Sequence, residues 1–176
     1  MTKTDYKTLL LKILHEAIAE LYSCDYYIIK QRISERCLCA RLAFHIECIM
    51  RQKYRNIFDE YYVDVEYDRK GGDPKHIGNS DKRHVCDLLI HRRGFNEQGD
   101  NLLALEMKVH DNYSKVQNDY KRLHDIVQHR DDNNRKLACE TLLGIFLRIQ
   151  FHQYKITIFD VDVNSGNPSK EQVIKI

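Results

Sequence analysis

The spacing of apolar residues changes three times along this chain, and those changes constrain the fold more than any other feature. From Thr4 to about Tyr22 (4–22), Leu10, Ile13, Leu14, Ala17 and Leu21 recur at helical spacing, with Asp5 early, where a helix N-terminus favours acid. Ser23-Cys24-Asp25 reads as a turn. Ser34 is placed to cap a second helix running to about Gln52, with Leu38, Leu42, Ile46 and Ile49 as its stripe. The period then drops to two. Tyr61 to Tyr67 sets Val63, Val65 and Tyr67 against Asp64 and Glu66, as a half-buried strand requires. His84–His91 and Asn101–Val109 are rich in Leu, Ile and Val, with a polar connection around Gly94 and Gly99, which predicts adjacent antiparallel strands. Helical spacing returns over Asn112–Arg130 through Val116, Tyr120, Leu123 and Val127, and Leu142–Ile149 and Tyr154–Val161 read as two more strands. Asp68–Lys82, with Gly71-Gly72 and Asp73-Pro74, predicts a long surface loop, and the tail 164–176 shows little pattern.

Two helices, three strands, a helix and two strands make a single mixed α/β domain, with the third helix able to cross over to a parallel strand. The length of 176 residues suits one domain, and 43% hydrophobic with 31% charged residues excludes a disordered chain. The longest apolar runs fall far short of the roughly 20 residues that span a bilayer. Lys12 and Glu16 interrupt the N-terminal apolar stretch, so no secretory signal is expected and the expected address is the cytoplasm. Six cysteines without such a signal are expected to be reduced thiols. No Cys-x-x-Cys or His-Glu-x-x-His occurs, so the common zinc spacings are absent.

Acid-x-Lys triplets occur five times. Asp5-Tyr6-Lys7, Asp68-Arg69-Lys70, Asp73-Pro74-Lys75 and Asp119-Tyr120-Lys121 fall on expected helix surfaces or loops, where a solvated charge needs no explanation. Glu106-Met107-Lys108 differs because it ends the apolar strand Leu102-Leu103-Ala104-Leu105, and period-2 geometry aligns Glu106 and Lys108 with Leu102 and Ala104. A carboxylate and an ammonium on an apolar face need each other, a metal, or water in a cleft. The preceding strand carries Asp87, aligned with Val85 and Leu89. Asp87 and Glu106 together form a seat for a hard cation such as Mg²⁺, which takes one or two carboxylates plus water and substrate phosphate. Lys108 is then placed to polarise a bound water or to neutralise charge on a phosphate. Glu35 extends the buried stripe of the second helix at its N-terminal end, where it serves either that cluster or the helix dipole.

This ordered series resembles the PD-(D/E)XK superfamily of metal-dependent nucleases, which includes the restriction endonucleases, over roughly Ser34 to Ile149. The closer resemblance is to small stand-alone bacterial members, through Ser34-Glu35-Arg36, Arg41-Leu42-Ala43, Val65-Glu66-Tyr67-Asp68-Arg69, Cys86-Asp87-Leu88-Leu89-Ile90-His91-Arg92-Arg93-Gly94 and Asn101-Leu102-Leu103-Ala104-Leu105-Glu106-Met107-Lys108. Cys86 stands where the family name has proline, a change that touches backbone shape and not chemistry. The resemblance implies a restriction-endonuclease-like αβββαβ core (about 34–161) with an extra N-terminal helix. It implies an acid late in one strand (Asp87), Glu-x-Lys in the next (Glu106 and Lys108), and a Glu from the preceding helix (Glu35). It also implies the Met107 carbonyl as a third ligand to Mg²⁺ or Mn²⁺, and DNA as substrate, with RNA not excluded. Dimerisation, common in that family, would let a homodimer cut both strands. The rival expectation is a catalytically inactive module of the same fold that binds nucleic acid or a protein partner.

Net charge is only +2, so distribution matters more than the total. From Lys30 to Arg55 seven Lys or Arg face Glu35 and Glu47 alone, a surface that suits a phosphate backbone. The resemblance marks Arg41 as a partner beside the site, and Arg92 and Arg93 at a strand-end turn are further candidates for nucleic-acid contact. Tyr26-Tyr27 and Tyr61-Tyr62 are either base-stacking or core-edge pairs, and His84, His91 and His110 are strand-end polar residues that flank the acids.

Overall fold

The computed structural model describes residues 2–67, 69–70, 73–74, 85–95, 100–109, 116–128, 141–160 and 170–175. Helix α1 (Lys3–Cys24) opens with a reciprocal cap: Thr2 Oγ1 accepts from Asp5 N, and Asp5 accepts from Thr2 N. A short helix α2 (Tyr26–Lys30) follows, where the sequence had suggested only a turn before it. Ser34 caps α3 (Glu35–Lys53) by accepting from Cys37 N at 3.3 Å. One further turn, α4 (Arg55–Phe58), leads into β1 (Tyr62–Val65). The expected loop beyond it contains two paired dipeptides, β2 (Arg69–Lys70) and β3 (Asp73–Pro74), on either side of Gly71-Gly72. The rest of that segment, and His84 and His110, lie outside the described residues.

The main sheet then builds from β4 (Leu88–His91), β5 (Asn101–Val109), β6 (Thr141–Ile149), β7 (Gln153–Asp160) and β8 (Lys170–Lys175), with α5 (Val116–Gln128) between β5 and β6. Its strand order is β1-β4-β5-β6-β7-β8, and every neighbouring pair is antiparallel except β5 and β6, which are parallel across the α5 crossover. The adjacency of β4 and β5 and the crossover agree with the sequence pattern. The tail does not: residues 170–175 form an edge strand, because an edge strand needs backbone partners on only one side and carries little apolar signature.

Two helical layers sandwich this sheet. α1 and α3 share one core with Leu88, Ile90, Leu103, Leu105, Met107 and alternate residues of β6 and β7. α5 packs on the other face against Leu89, Ala104 and Phe146, together with Cys86. Strict alternation along β5 fails at one residue. The register steps from Ile90↔Leu103 to His91↔Asn101, which leaves Leu102 as an extra residue in a bulge, and Leu102 joins the α1/α3 core instead of the face of Ala104. Beyond the bulge, Ala104, Glu106 and Lys108 do share a face, the one beneath α5.

The strand carrying Asp87 is shorter than expected. β4 starts at Leu88, so Asp87 lies at the bend before the strand and not late within it. The reason is local. Asp87 Oδ2 accepts from the Met107 N–H at 2.7 Å, a backbone donor that a longer β4 would have paired. The Asp87 carbonyl meanwhile accepts from Glu66 N at 3.2 Å and from the Cys39 thiol at 3.1 Å.

Candidate active site

Leu88 pairs with Leu105, so Asp87, one residue before β4, comes level with Glu106 on β5. Glu106 is 1% exposed. Burial first, and the charge of Asp87 second, push its carboxyl up to about 9, with Arg122 and Lys108 only partly offsetting them. Its Oε2 accepts from Arg122 Nη2 at 2.9 Å, while Oε1 is buried with no hydrogen-bond partner. An orphaned oxygen on a buried carboxylate beside a second carboxylate is a place where a cation would relieve cost.

Lys108 sits at the same end of β5, where it makes two hydrogen bonds and one further ion pair. Nζ donates to the Met107 carbonyl at 2.9 Å and pairs with Glu35 Oε1 and Asp119 Oδ2, both at 3.2 Å. Burial alone would lower its pKa, but Glu35 and Asp119 hold it above the ordinary value, so it is an ammonium throughout the physiological range. Glu35, in the first turn of α3, reaches Lys108 instead of only complementing the helix dipole. Burial raises its carboxyl, and Lys108 opposes that rise. The thiol of Cys39, buried one turn further along α3, is pushed far up by burial and by the neighbouring acids.

The structure thus brings together Asp87, Glu106, Met107, Lys108 and Glu35. It adds Asp119, which its sequence context had placed on a solvated helix surface, and Arg122, which nothing in the sequence had singled out. Asp119 belongs to one of the triplets assigned to a solvated helix surface, and that assignment is corrected: it is 2% exposed, pairs with Lys108, and contacts Arg122 one turn along α5. The signal was present. Including Ile126 with Leu123 and Val127 widens the buried arc of α5 at ~100° per residue, and Asp119 then falls inside it.

The basic candidates lie elsewhere. Arg41, expected beside the site, has its Nε on both carboxylate oxygens of Asp25 at 2.9 and 3.0 Å, with His45 completing that cluster. It lies six residues beyond Glu35, on a different side of α3. Arg92 pairs with Glu60 and Asp100, and Arg93 with Asp64. Both follow the far end of β4, opposite Asn101 and not Lys108. Within the Lys30–Arg55 segment, Arg36, Arg41, Arg51, Lys53 and Arg55 each hold a carboxylate. His91 is buried against Asp64 and Tyr67, as a polar core residue. Tyr62 lies under both Arg51 and Arg93, and Tyr26 packs against Phe151.

No family model, curated protein or solved structure matches this chain. What the cluster does must therefore be judged from its own chemistry. Four acids, Glu35, Asp87, Glu106 and Asp119, crowd two cations, Lys108 and Arg122, and Glu106 keeps its proton at neutral pH in this largely buried place. Among the described residues no three His, Cys, Asp or Glu side chains close around a single point. Two carboxylates and one backbone carbonyl are nonetheless a fitting donor set for Mg²⁺, which keeps several waters and completes its shell with substrate phosphate. Among the described residues no helix is long and apolar enough to cross a membrane.

Proposed function

We propose that this chain is a metal-dependent nuclease of the PD-(D/E)XK type that hydrolyses DNA phosphodiester bonds with Mg²⁺ or Mn²⁺. The observation that carries the reading is the buried Glu106 carboxyl with one orphaned oxygen beside Asp87, on the same strand as Lys108 with its acidic partners Glu35 and Asp119. The element order α3-β1-β4-β5-α5-β6, with three antiparallel strands and a fourth parallel to the third, supports it, since this is the αβββαβ arrangement that the motif resemblance implies. Asp87, Glu106 and the Met107 carbonyl would hold the ion. When bound it would supply Lewis acidity at a phosphoryl oxygen and a lowered pKa for water.

The chain's own groups do the rest. Glu35 is the half-exposed partner of Lys108, whereas Asp119 is buried, so a phosphate oxygen or the attacking water enters by displacing Glu35 from Nζ. Lys108 then donates to the incoming oxygen and stabilises negative charge as the water oxygen bonds to phosphorus, its proton passing to solvent, and the P–O ester bond breaks, the departing oxygen taking a proton from solvent. Asp119 keeps the ammonium oriented, and Glu35, once displaced, can hold the water. The test is metal-dependent cleavage of plasmid, linear and single-stranded DNA, with RNA in parallel and Glu106→Ala as control. Cleavage that needs Mg²⁺ or Mn²⁺ and vanishes in the variant supports the reading.

One observation favours the rival, a non-catalytic module of this fold that binds nucleic acid or a protein partner. Arg122 already donates to Glu106 Oε2 and, with Lys108, supplies positive charge where an ion would sit. DNA binding without cleavage in either metal would decide for that module.

A further inference from the structure

A cleft of about 440 Å³ opens between the C-terminal end of α2 and the turn joining β6 to β7, with Lys30, Arg32, Phe151 and His152 on its walls. Its place follows from the sheet. β5 and β6 are parallel and Val109 pairs with Ile149, so the turn after β6 leaves the sheet at the same end as Lys108. That turn is firmly held: Gln150 N donates to Gln153 O at 2.9 Å, and the Tyr22 hydroxyl lies 2.6 Å from Gln150 O and 2.9 Å from Gln153 O. On the opposite wall, α2 leads through residues 31–34 directly to Glu35, which already touches Lys108. Cleft and acidic cluster therefore lie toward the same end of the sheet, the cleft on the α1 side and Glu106 on the α5 side.

The walls have a definite chemistry. Lys30 and Arg32 are exposed, and neither pairs with an acid among the described residues, in contrast to the five other basic residues of the 30–55 segment. No acid lines the cleft. Arg32 has φ 54°, a backbone conformation that Gly or Asn adopts more readily, so a cationic side chain is held where the backbone favours others. Phe151 packs against His152 at 4.1 Å and against the partly exposed Tyr26 at 5.3 Å, which fixes an aromatic wall. Paired cations beside rigid aromatic rings are the chemistry that holds single-stranded nucleic acid, the rings taking a base face and the cations its phosphates. A paired base inside a duplex has no free face to offer.

We infer that this cleft binds one unpaired nucleotide of the DNA strand being cut, its base against Phe151 and its flanking phosphates against Lys30 and Arg32. The inference rests on the nuclease reading and deepens it, because it assigns single-stranded or frayed DNA as the preferred substrate.

The probe is a short oligothymidylate carrying one 2-aminopurine, titrated against the full chain in metal-free buffer and read by fluorescence quenching and anisotropy. Wild type should quench the base on binding. Phe151→Ala should remove the quenching and weaken affinity about tenfold. Lys30→Glu alters an exposed side chain and so leaves the fold intact. It should weaken oligonucleotide binding several-fold and lower the salt slope by about one unit. Affinity for a blunt duplex should move less than twofold in either variant. Oligonucleotide binding equal to wild type in Lys30→Glu, or equal losses on single strand and duplex, would overturn the cleft assignment. Cleavage assays on the same proteins separate the two readings. Phe151-dependent quenching without cleavage in Mg²⁺ or Mn²⁺ keeps the cleft and removes the nuclease. Wild-type rates on single-stranded DNA in both variants keep the nuclease and remove the cleft.

Discussion

Asp64 on β1 and Glu106 on β5 are carboxylates of one sheet, and their surroundings push them in opposite directions. Burial works against the charged form of both. At Asp64, hydrogen bonds from Arg93 and His91 overcome it and hold the carboxyl below the ordinary range. Asp25, held by His45 and Arg41, behaves the same way. At Glu106 nothing in the chain overcomes it, because Asp87 and Asp119 add repulsion that Arg122 and Lys108 do not cancel. A fold that pairs its half-buried acids so well at two places has left a third place unbalanced. The imbalance is met by a proton on Glu106, which on the proposed reading a metal ion would replace.

The sharpest way to break that contrast is Lys108→Ala. If the cluster is catalytic, cleavage should fall on the order of a hundredfold or more, since charge that develops in the transition state loses its donor. DNA affinity should barely change, one phosphate contact altering the salt slope by about one unit. Cleavage kinetics and anisotropy on the same preparation read both quantities. Equal losses in the two would make Lys108 a binding residue.

Much of this contrast was legible in the sequence. Glu106 and Lys108 drew attention because they end an apolar strand, and Asp87 because it occupies the neighbouring one. Glu35 was visible because it extends an apolar helical stripe. Asp119 was missed for the converse reason: three polar residues, Gln117, Asn118 and Lys121, surround it in sequence, and a stripe drawn without Ile126 is too narrow to include it. The partners of Arg41, Arg92 and Arg93 lie 8 to 32 residues away, and sequence spacing carries no record of such pairings. The 170–175 strand escaped because its place is set by the edge of β7, which its own composition does not encode.

The well-paired side of the comparison is tested by Asp64→Ala. Removing the carboxylate takes an ion-pair partner from buried His91 and from Arg93, which should cost about 2–3 kcal/mol. For a domain of this size that lowers Tm by about 5–10 °C. The sign with pH is fixed by the depressed folded-state value. Stability from Asp64 is present above the unfolded carboxylate pKa of 3.8 and is lost as pH falls through the lower folded one. The variant should therefore lose less Tm than wild type between pH 5 and pH 3, and a parallel acid limb in thermal melts would place the acid sensitivity elsewhere.

The unbalanced side predicts the reverse dependence. Glu106 has an ordinary value of 4.5 and a folded value of about 9, so folding takes up a proton between them. Its favourable contribution is complete below pH 4.5 and is lost as pH rises to about 9. Metal-free Glu106→Gln should melt a few degrees above wild type at pH 8 and show a flatter alkaline limb, an effect of about 1–2 kcal/mol. Adding Mg²⁺ should narrow the gap by stabilising wild type alone. A wild-type Tm that stays flat from pH 5 to 9 without metal would mean that Arg122 and Lys108 already balance the cluster.

The smallest effect is expected at Arg92 and Arg93, and its smallness is informative. Both lie at the Asn101 end of β5, seven residues from Lys108, or about 24 Å along the strand. Arg93 is committed to Asp64 and stacks on the Tyr62 ring at 4.4 Å, while Arg92 is shared between Glu60 and Asp100. A guanidinium already neutralised by a carboxylate releases few counterions from DNA, because meeting a phosphate means giving up an existing partner. Arg92→Ala and Arg93→Ala should change DNA affinity less than about threefold and the salt slope by less than one unit. On single-stranded DNA, Lys30→Glu, at the rim shared with Lys108, should do more. If the order is reversed in a salt titration of the three variants, DNA crosses the other end of the sheet, and the acidic cluster is not where the strand is held.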